Sequence, residues 1–158
     1  MTVRLLLTVV ILLLCSAAWA LNLPDPSLTP GAVMTSVTVQ MICARGYGRL
    51  ARHVTRSERK HVILAYLAAH PTWPARPYEV DHLVPLELGG SNDPSNLWPQ
   101  PWGEARQKDR LENWLHYMVC SGQMSLWDAQ ARAVNWGRGR PRESFSSSDL
   151  DRGDQVGE

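Results

Sequence analysis

Asp81 and His82 are adjacent at the end of a β-like run, and Asn96 follows fourteen residues after His82, beyond a Gly89-Gly90 turn. These residue types at this spacing suit one kind of chemistry. An Asp beside a His at a strand end can hold a divalent cation while the imidazole takes a proton from water. Asn96, returning across a hairpin, can hydrogen-bond backbone and fix the angle at which His82 is presented. A helix after the returning strand would close a small polar site.

The elements that must position these residues can be read from local signals. Tyr78 to Val84 reads as a short strand, and Asn96-Leu97-Trp98 as a second extended piece that ends before Pro99 and Pro101. A helix from about Glu104 to Val119 follows, because Leu111, Trp114, Leu115 and Met118 form one apolar stripe. Upstream, Thr55 and Glu58 have capping-box spacing, which predicts a helix from Arg56 to Ala69 that His70-Pro71 stops. Ser125 with Asp128 caps a last helix to about Val134, and Trp136 is expected to dock on the core. Leu21 to Gly31 carries Pro24, Pro26 and Pro30 and reads as extended, while Val33 to Cys43 suggests a short strand or extended arm. Trp73, Trp98, Trp102, Trp114 and Trp127 could stack on bases, but core packing is the commoner fate of tryptophan, above all for Trp114 on its stripe. His61, His70 and His116 read as surface or hydrogen-bonded histidines.

Composition narrows the class. The chain has 158 residues, 44% hydrophobic and 20% charged, which is the balance of one globular domain. Its formal charge is +1, so whole-chain charge does not announce a nucleic-acid binder. Locally the balance differs. Arg45, Arg49, Arg52, Arg56, Arg59 and Lys60 face only Glu58, a +5 stretch that reads either as a phosphate-facing patch or as a solvated face.

The N-terminus reads as an export signal. Arg4 precedes an apolar run from Leu5 to Leu14, and Ala18-Trp19-Ala20 offers a cleavage site. Residues 1–20 are therefore expected to be removed, with no stable membrane association afterwards and a periplasmic or secreted destination. Cys15 would leave with the signal. Cys43 and Cys120 would then remain as a pair in an oxidising compartment, where a disulfide is the natural state. The competing idea, a metal site built on His116 and Cys120 four residues apart, lacks the second ligand pair that zinc wants. After Gly137 the sequence turns to Arg, Ser, Asp and Gly, so residues 138–158 are expected to be a disordered tail.

The ordered set Asp81, His82, Pro85, Gly89, Gly90, Asn92, Asn96 and Leu97 resembles the signature of the HNH (ββα-metal) endonuclease superfamily, D-H-x-x-P-x-x-x-G-G-x-N-x-x-x-N-L. More narrowly, the chain looks like small exported bacterial HNH proteins. Cys43-Ala44-Arg45-Gly46-Tyr47, Asn96-Leu97-Trp98-Pro99, Lys108 to Glu112 and Val119 to Gly122 match segments of that group.

The resemblance implies an α+β fold, a mainly helical small domain around a β-hairpin-plus-helix motif spanning residues 21–137. It also implies a metal-dependent endonuclease that hydrolyses nucleic-acid phosphodiester bonds. Among nucleic acids, DNA is the more expected partner, and the lack of a base-reading module in the sequence points to little sequence specificity. By the same resemblance His82 is the general base, Asn96 the middle Asn of the catalytic set, and Asp81 a ligand to one divalent ion. Mg²⁺ or Mn²⁺ suits oxygen ligands, and Zn²⁺ or Ni²⁺ a site richer in imidazole. The superfamily's third residue falls at Ala105 or Arg106, neither a metal ligand, so Glu104 or Asp109 would have to supply the carboxylate. Arg45, Arg49, Arg52, Arg56, Arg106 and Lys108 are the expected nucleic-acid contacts. The alternative is a catalytically inactive nucleic-acid-binding or disulfide-stapled structural protein on the same scaffold.

Overall fold

The computed structural model describes residues 23–73 and 77–139. The expected signal segment and nearly all of the expected tail lie outside the described residues. Within them the protein is a small α+β domain of five α-helices and one two-stranded antiparallel sheet. The helices are α1 (Val39–Ile42), α2 (Tyr47–Ala51), α3 (Arg56–Ala69), α4 (Trp102–Cys120) and α5 (Leu126–Gly137). The strands are β1 (Tyr78–His82) and β2 (Leu97–Pro101), with short 3₁₀ turns at Leu86–Leu88 and Pro94–Asn96 between them.

Helix α3 has the predicted limits because its ends are chemically marked. Thr55 accepts from the Glu58 backbone amide, and Glu58 reaches back to the Thr55 amide at 2.6 Å. Of the strand or extended arm expected over Val33 to Cys43, the part from Val39 is helical instead. Val33 makes only an isolated bridge to Gly90, and Thr38 caps the short helix α1, so a local cap overrides the β preference of Val and Ile.

Strand β2 also departs from expectation by continuing through Pro99 and Pro101. The register explains why. Asp81 pairs with Trp98 and Glu79 with Gln100, and the Leu83 amide donates to the Asn96 carbonyl in the same phase. Positions 97, 99 and 101 therefore point away from β1, where a proline loses no ladder hydrogen bond. The outward carbonyls are still satisfied, Leu97 by the Thr29 hydroxyl at 2.8 Å and Pro99 by the Trp73 indole at 3.3 Å.

Two apolar clusters frame the hairpin. Val62, Tyr66, Trp73, Leu83, Leu97 and Trp98 pack α3 onto the sheet. Ile42, Val84, Leu88, Leu111, Trp114, Leu115, Val119, Ala129 and Ala133 bring α1, α4 and α5 together, and Trp136 touches both clusters. Trp73, Trp98 and Trp114 are thus core residues, whereas Trp102 and Trp127 are exposed. The proline-rich lead-in is tied down. Asp25 bonds His70 at 2.7 Å and receives both Ser27 donors, which together hold its carboxyl down at about 2, with the Ser27 hydroxyl the larger cause. Cys43 and Cys120 form a disulfide across 77 positions, with Cα atoms 5.6 Å apart.

Candidate functional site

The segment between the strands is shaped by Asn96. Its amide oxygen accepts from the Val84 amide at 2.8 Å, and its amide nitrogen donates to the Val84 and Ser91 carbonyls at 2.9 Å. The side chain is fully buried and all of these bonds go to backbone, so Asn96 acts by clamping the loop rather than by touching a reactant. Gly90 completes the clamp, since a Cβ there would stand 1.9 Å from the Val84 carbonyl oxygen. Asn96→Ala would orphan the buried Val84 amide and carbonyl and the part-buried Ser91 carbonyl, and is expected to cost ~1–3 kcal/mol of stability. A denaturation midpoint equal to the parent's would show that the clamp carries no stability.

His82, at the end of β1, is only 2% exposed. Its Nε2 lies 3.1 Å from Asn92 Oδ1, while Asn92 Nδ2 donates to the Ala51 carbonyl at 2.8 Å. That second bond fixes the orientation of the Asn92 amide and turns its oxygen to His82. Nε2 therefore carries the proton, and Nδ1 keeps its lone pair. Nδ1 is buried without a hydrogen-bond partner, and its nearest charge is Asp81 Oδ1 at 3.9 Å. Asn92 belongs to the sequence motif, but its role depends on a contact with Ala51 forty-one positions away, which spacing does not reveal.

Around His82 lies a cavity of about 260 Å³. Its charged and polar lining is Arg49, Arg52, Asp81, His82, Glu87 and Glu112. Of the six expected nucleic-acid contacts, Arg49 and Arg52 therefore reach the site. Arg45, Arg56 and Arg106 are exposed elsewhere. Lys108 departs from expectation: it is 2% exposed, and its ammonium donates to Asp81 Oδ2 at 2.6 Å and to the Glu112 carboxylate. A side chain so placed is not free to grip a phosphate.

The charges of this cluster support one another. Burial works against the Asp81 charge, but the Lys108 ammonium, by its charge and its hydrogen bond, and the His82 backbone amide hold the carboxyl well below its usual range. Burial also opposes the Lys108 charge, and the Glu112 and Asp81 carboxylates outweigh it, raising the ammonium's pKa. Glu112 is pushed up to about 7, chiefly by burial, with Asp81 adding to the effect and Lys108 opposing it. Glu112 was missed as a site residue, although it stands four residues after Lys108 on one helix, the spacing at which Lys and Glu pair.

The residues beside Asp81 do not fit a divalent ion. The Lys108 ammonium holds Oδ2, and neither Glu104 nor Asp109 is part of the cavity wall. Asp109 is exposed, and its pKa is raised by burial and by the Asp81 charge, with Lys108 opposing. Among the described residues, the group of three acidic, His or Cys side chains that could hold a metal ion is Cys43, His116 and Cys120, with ligand atoms within 4.8 Å of one another. Metal binding there requires thiolates, and the disulfide uses both sulfurs. His116 instead lies 3.0 Å from the Ile42 carbonyl.

No helix of the described residues is long and apolar enough to cross a membrane. The chain matches no family model, no curated protein and no solved structure, so the site must be read from its own geometry.

Proposed function

We propose that the protein is an exported endonuclease of the HNH type, which hydrolyses nucleic-acid phosphodiester bonds with little sequence specificity. The observation that carries this reading is His82: a buried imidazole whose tautomer is set by Asn92, leaving Nδ1 unprotonated, in a residue that lines the same cavity as Arg49 and Arg52. A general base needs a fixed acceptor atom and a neighbour that stabilises the imidazolium it becomes, and Asp81 Oδ1 supplies the latter. Guanidinium groups match the oxygens of a phosphodiester. Phosphate contacts carry no sequence information, in keeping with low specificity. The disulfide suits an oxidising compartment outside the cytoplasm.

The chemistry can be written from these side chains. Water gives its proton to His82 Nδ1 as its oxygen bonds to phosphorus, and the bond from phosphorus to the leaving 3′-oxygen breaks. Glu112 lines the same cavity and burial pushes its pKa up, so in its protonated form it is placed to give a proton to that oxygen. Mg²⁺ or Mn²⁺, which the superfamily would place at Asp81, has no step here because the residues present do not fit it.

Incubation of the purified, oxidised protein with supercoiled plasmid tests the reading. Conversion to nicked and linear forms supports it, and plasmid that is retarded but intact would favour a binding protein on the same scaffold. If Arg49 and Arg52 meet phosphates, changing both to glutamine should weaken binding equally for unrelated duplexes. The slope of log affinity against log salt should fall by ~1 per arginine. Unchanged affinity would assign both to solvated surface.

A further inference from the structure

We propose that Lys108 is a built-in cation: its ammonium takes the place beside Asp81 that the HNH superfamily gives to a divalent metal ion, so the site turns over without one. The turnover half of this inference rests on the nuclease reading, whereas the exclusion of metal stands by itself.

Placement on helix α4 argues for it. The superfamily's third residue would fall at Ala105 or Arg106. Lys108 lies three residues beyond Ala105, and Glu112 seven, so they share one face of the helix. That face meets β1 through the bond from the Lys108 ammonium to Asp81 Oδ2 at 2.6 Å. The helix thus delivers a cation to the strand-end carboxylate, but the cation is covalently part of the chain. Glu112 holds the same ammonium from the other side, so its charge is shared between two carboxylates.

A divalent ion bound at Asp81 would have to stand close to this buried ammonium, and like charges at so short a distance repel strongly. Its ligands are not assembled either: Glu112 is engaged by the same ammonium, Glu104 and Asp109 stay out of the cavity, and His82 offers one nitrogen, which the reaction needs as its proton acceptor. The positive charge that a metal would set against the phosphate falls instead to Arg49 and Arg52, which line the same cavity. Lys108 is then a positioning residue: it orients Asp81, which in turn faces His82.

Mn²⁺ titration followed by electron paramagnetic resonance, with plasmid nicking in EDTA alongside, tests the inference. The parent protein should leave the free Mn²⁺ signal unchanged and nick as fast in EDTA as in Mg²⁺. Lys108→Gln should gain saturable Mn²⁺ binding that a further Asp81→Asn change abolishes, and Lys108→Arg, which keeps a cation, should gain none. Stoichiometric Mn²⁺ binding by the parent that is lost in Asp81→Asn would overturn the inference. Nicking that EDTA stops and Mg²⁺ restores would also overturn it, while leaving the nuclease reading intact. Nicking under neither condition overturns the nuclease reading and metal-free turnover together, and the Mn²⁺ signal then decides the place of Lys108. If Lys108→Gln fails to fold, the parent's two measurements decide alone.

Discussion

Replacing His82 by alanine is expected to cut plasmid nicking by ~10²–10⁴-fold, the usual contribution of a positioned general base, while nucleic-acid affinity is retained. Affinity should survive because Arg49, on α2, and Arg52, just after it, lie outside the hairpin. Loss of the imidazole also opens a void at a buried position, so stability must be measured beside rate. A second change separates the two effects. Asn92→Ala leaves the ring in place but removes the acceptor that holds the Nε2 proton, so Nδ1 is no longer the defined base. Its rate should fall, though less than in His82→Ala. If His82→Ala nicks at the parental rate in a folded protein, the assignment of this site is wrong.

The difference between His82 and Lys108 shows what the sequence reveals and what it hides. Asp81, His82, Gly90 and Asn96 sit in one short stretch, and their spacing reports a hairpin because the turn and the clamp are local. Helix α3 is legible for the same reason: Thr55, Glu58 and Pro71 mark its ends within a few residues. Strand β2 is not, because the harmlessness of Pro99 and Pro101 depends on which edge of the ladder they face. Lys108 looks like a surface lysine in a charged helix. Its burial arises from Asp81, 27 positions earlier, and only folding brings the two together. The expectation of a metal ligand at Glu104 or Asp109 rests on counting residues along α4, which cannot show that an ammonium already bonds the Asp81 carboxylate. The basic stretch divides in the same way: Arg49 and Arg52 enter the cavity wall because α2 ends beside Asn92, while Arg45 and Arg56 lie beyond its reach.

Changing Cys43 and Cys120 together to alanine is expected to lower stability by ~4 kcal/mol. Closing a loop of 77 positions removes about that much chain entropy from the unfolded state, within the range found for native bridges in small exported domains. For a domain of this size the melting temperature should fall on the order of 10–20 °C. The loss should reach the site as well. Cys43 caps α1, a helix of four residues, and α2 follows with Arg49 on it and Arg52 at its C-cap, the two arginines of the cavity wall. Without the bridge, α1 is held to α4 by buried Ile42 and by the contact of its carbonyl with His116. The arginine wall should therefore loosen before the hairpin does, and DNA affinity should drop at temperatures where the hairpin and helices are still folded. Circular dichroism read beside binding at several temperatures checks this order. A double variant that melts within ~2 °C of the parent would mean the bridge contributes little to stability, and one that binds DNA normally until it unfolds would detach the bridge from the site.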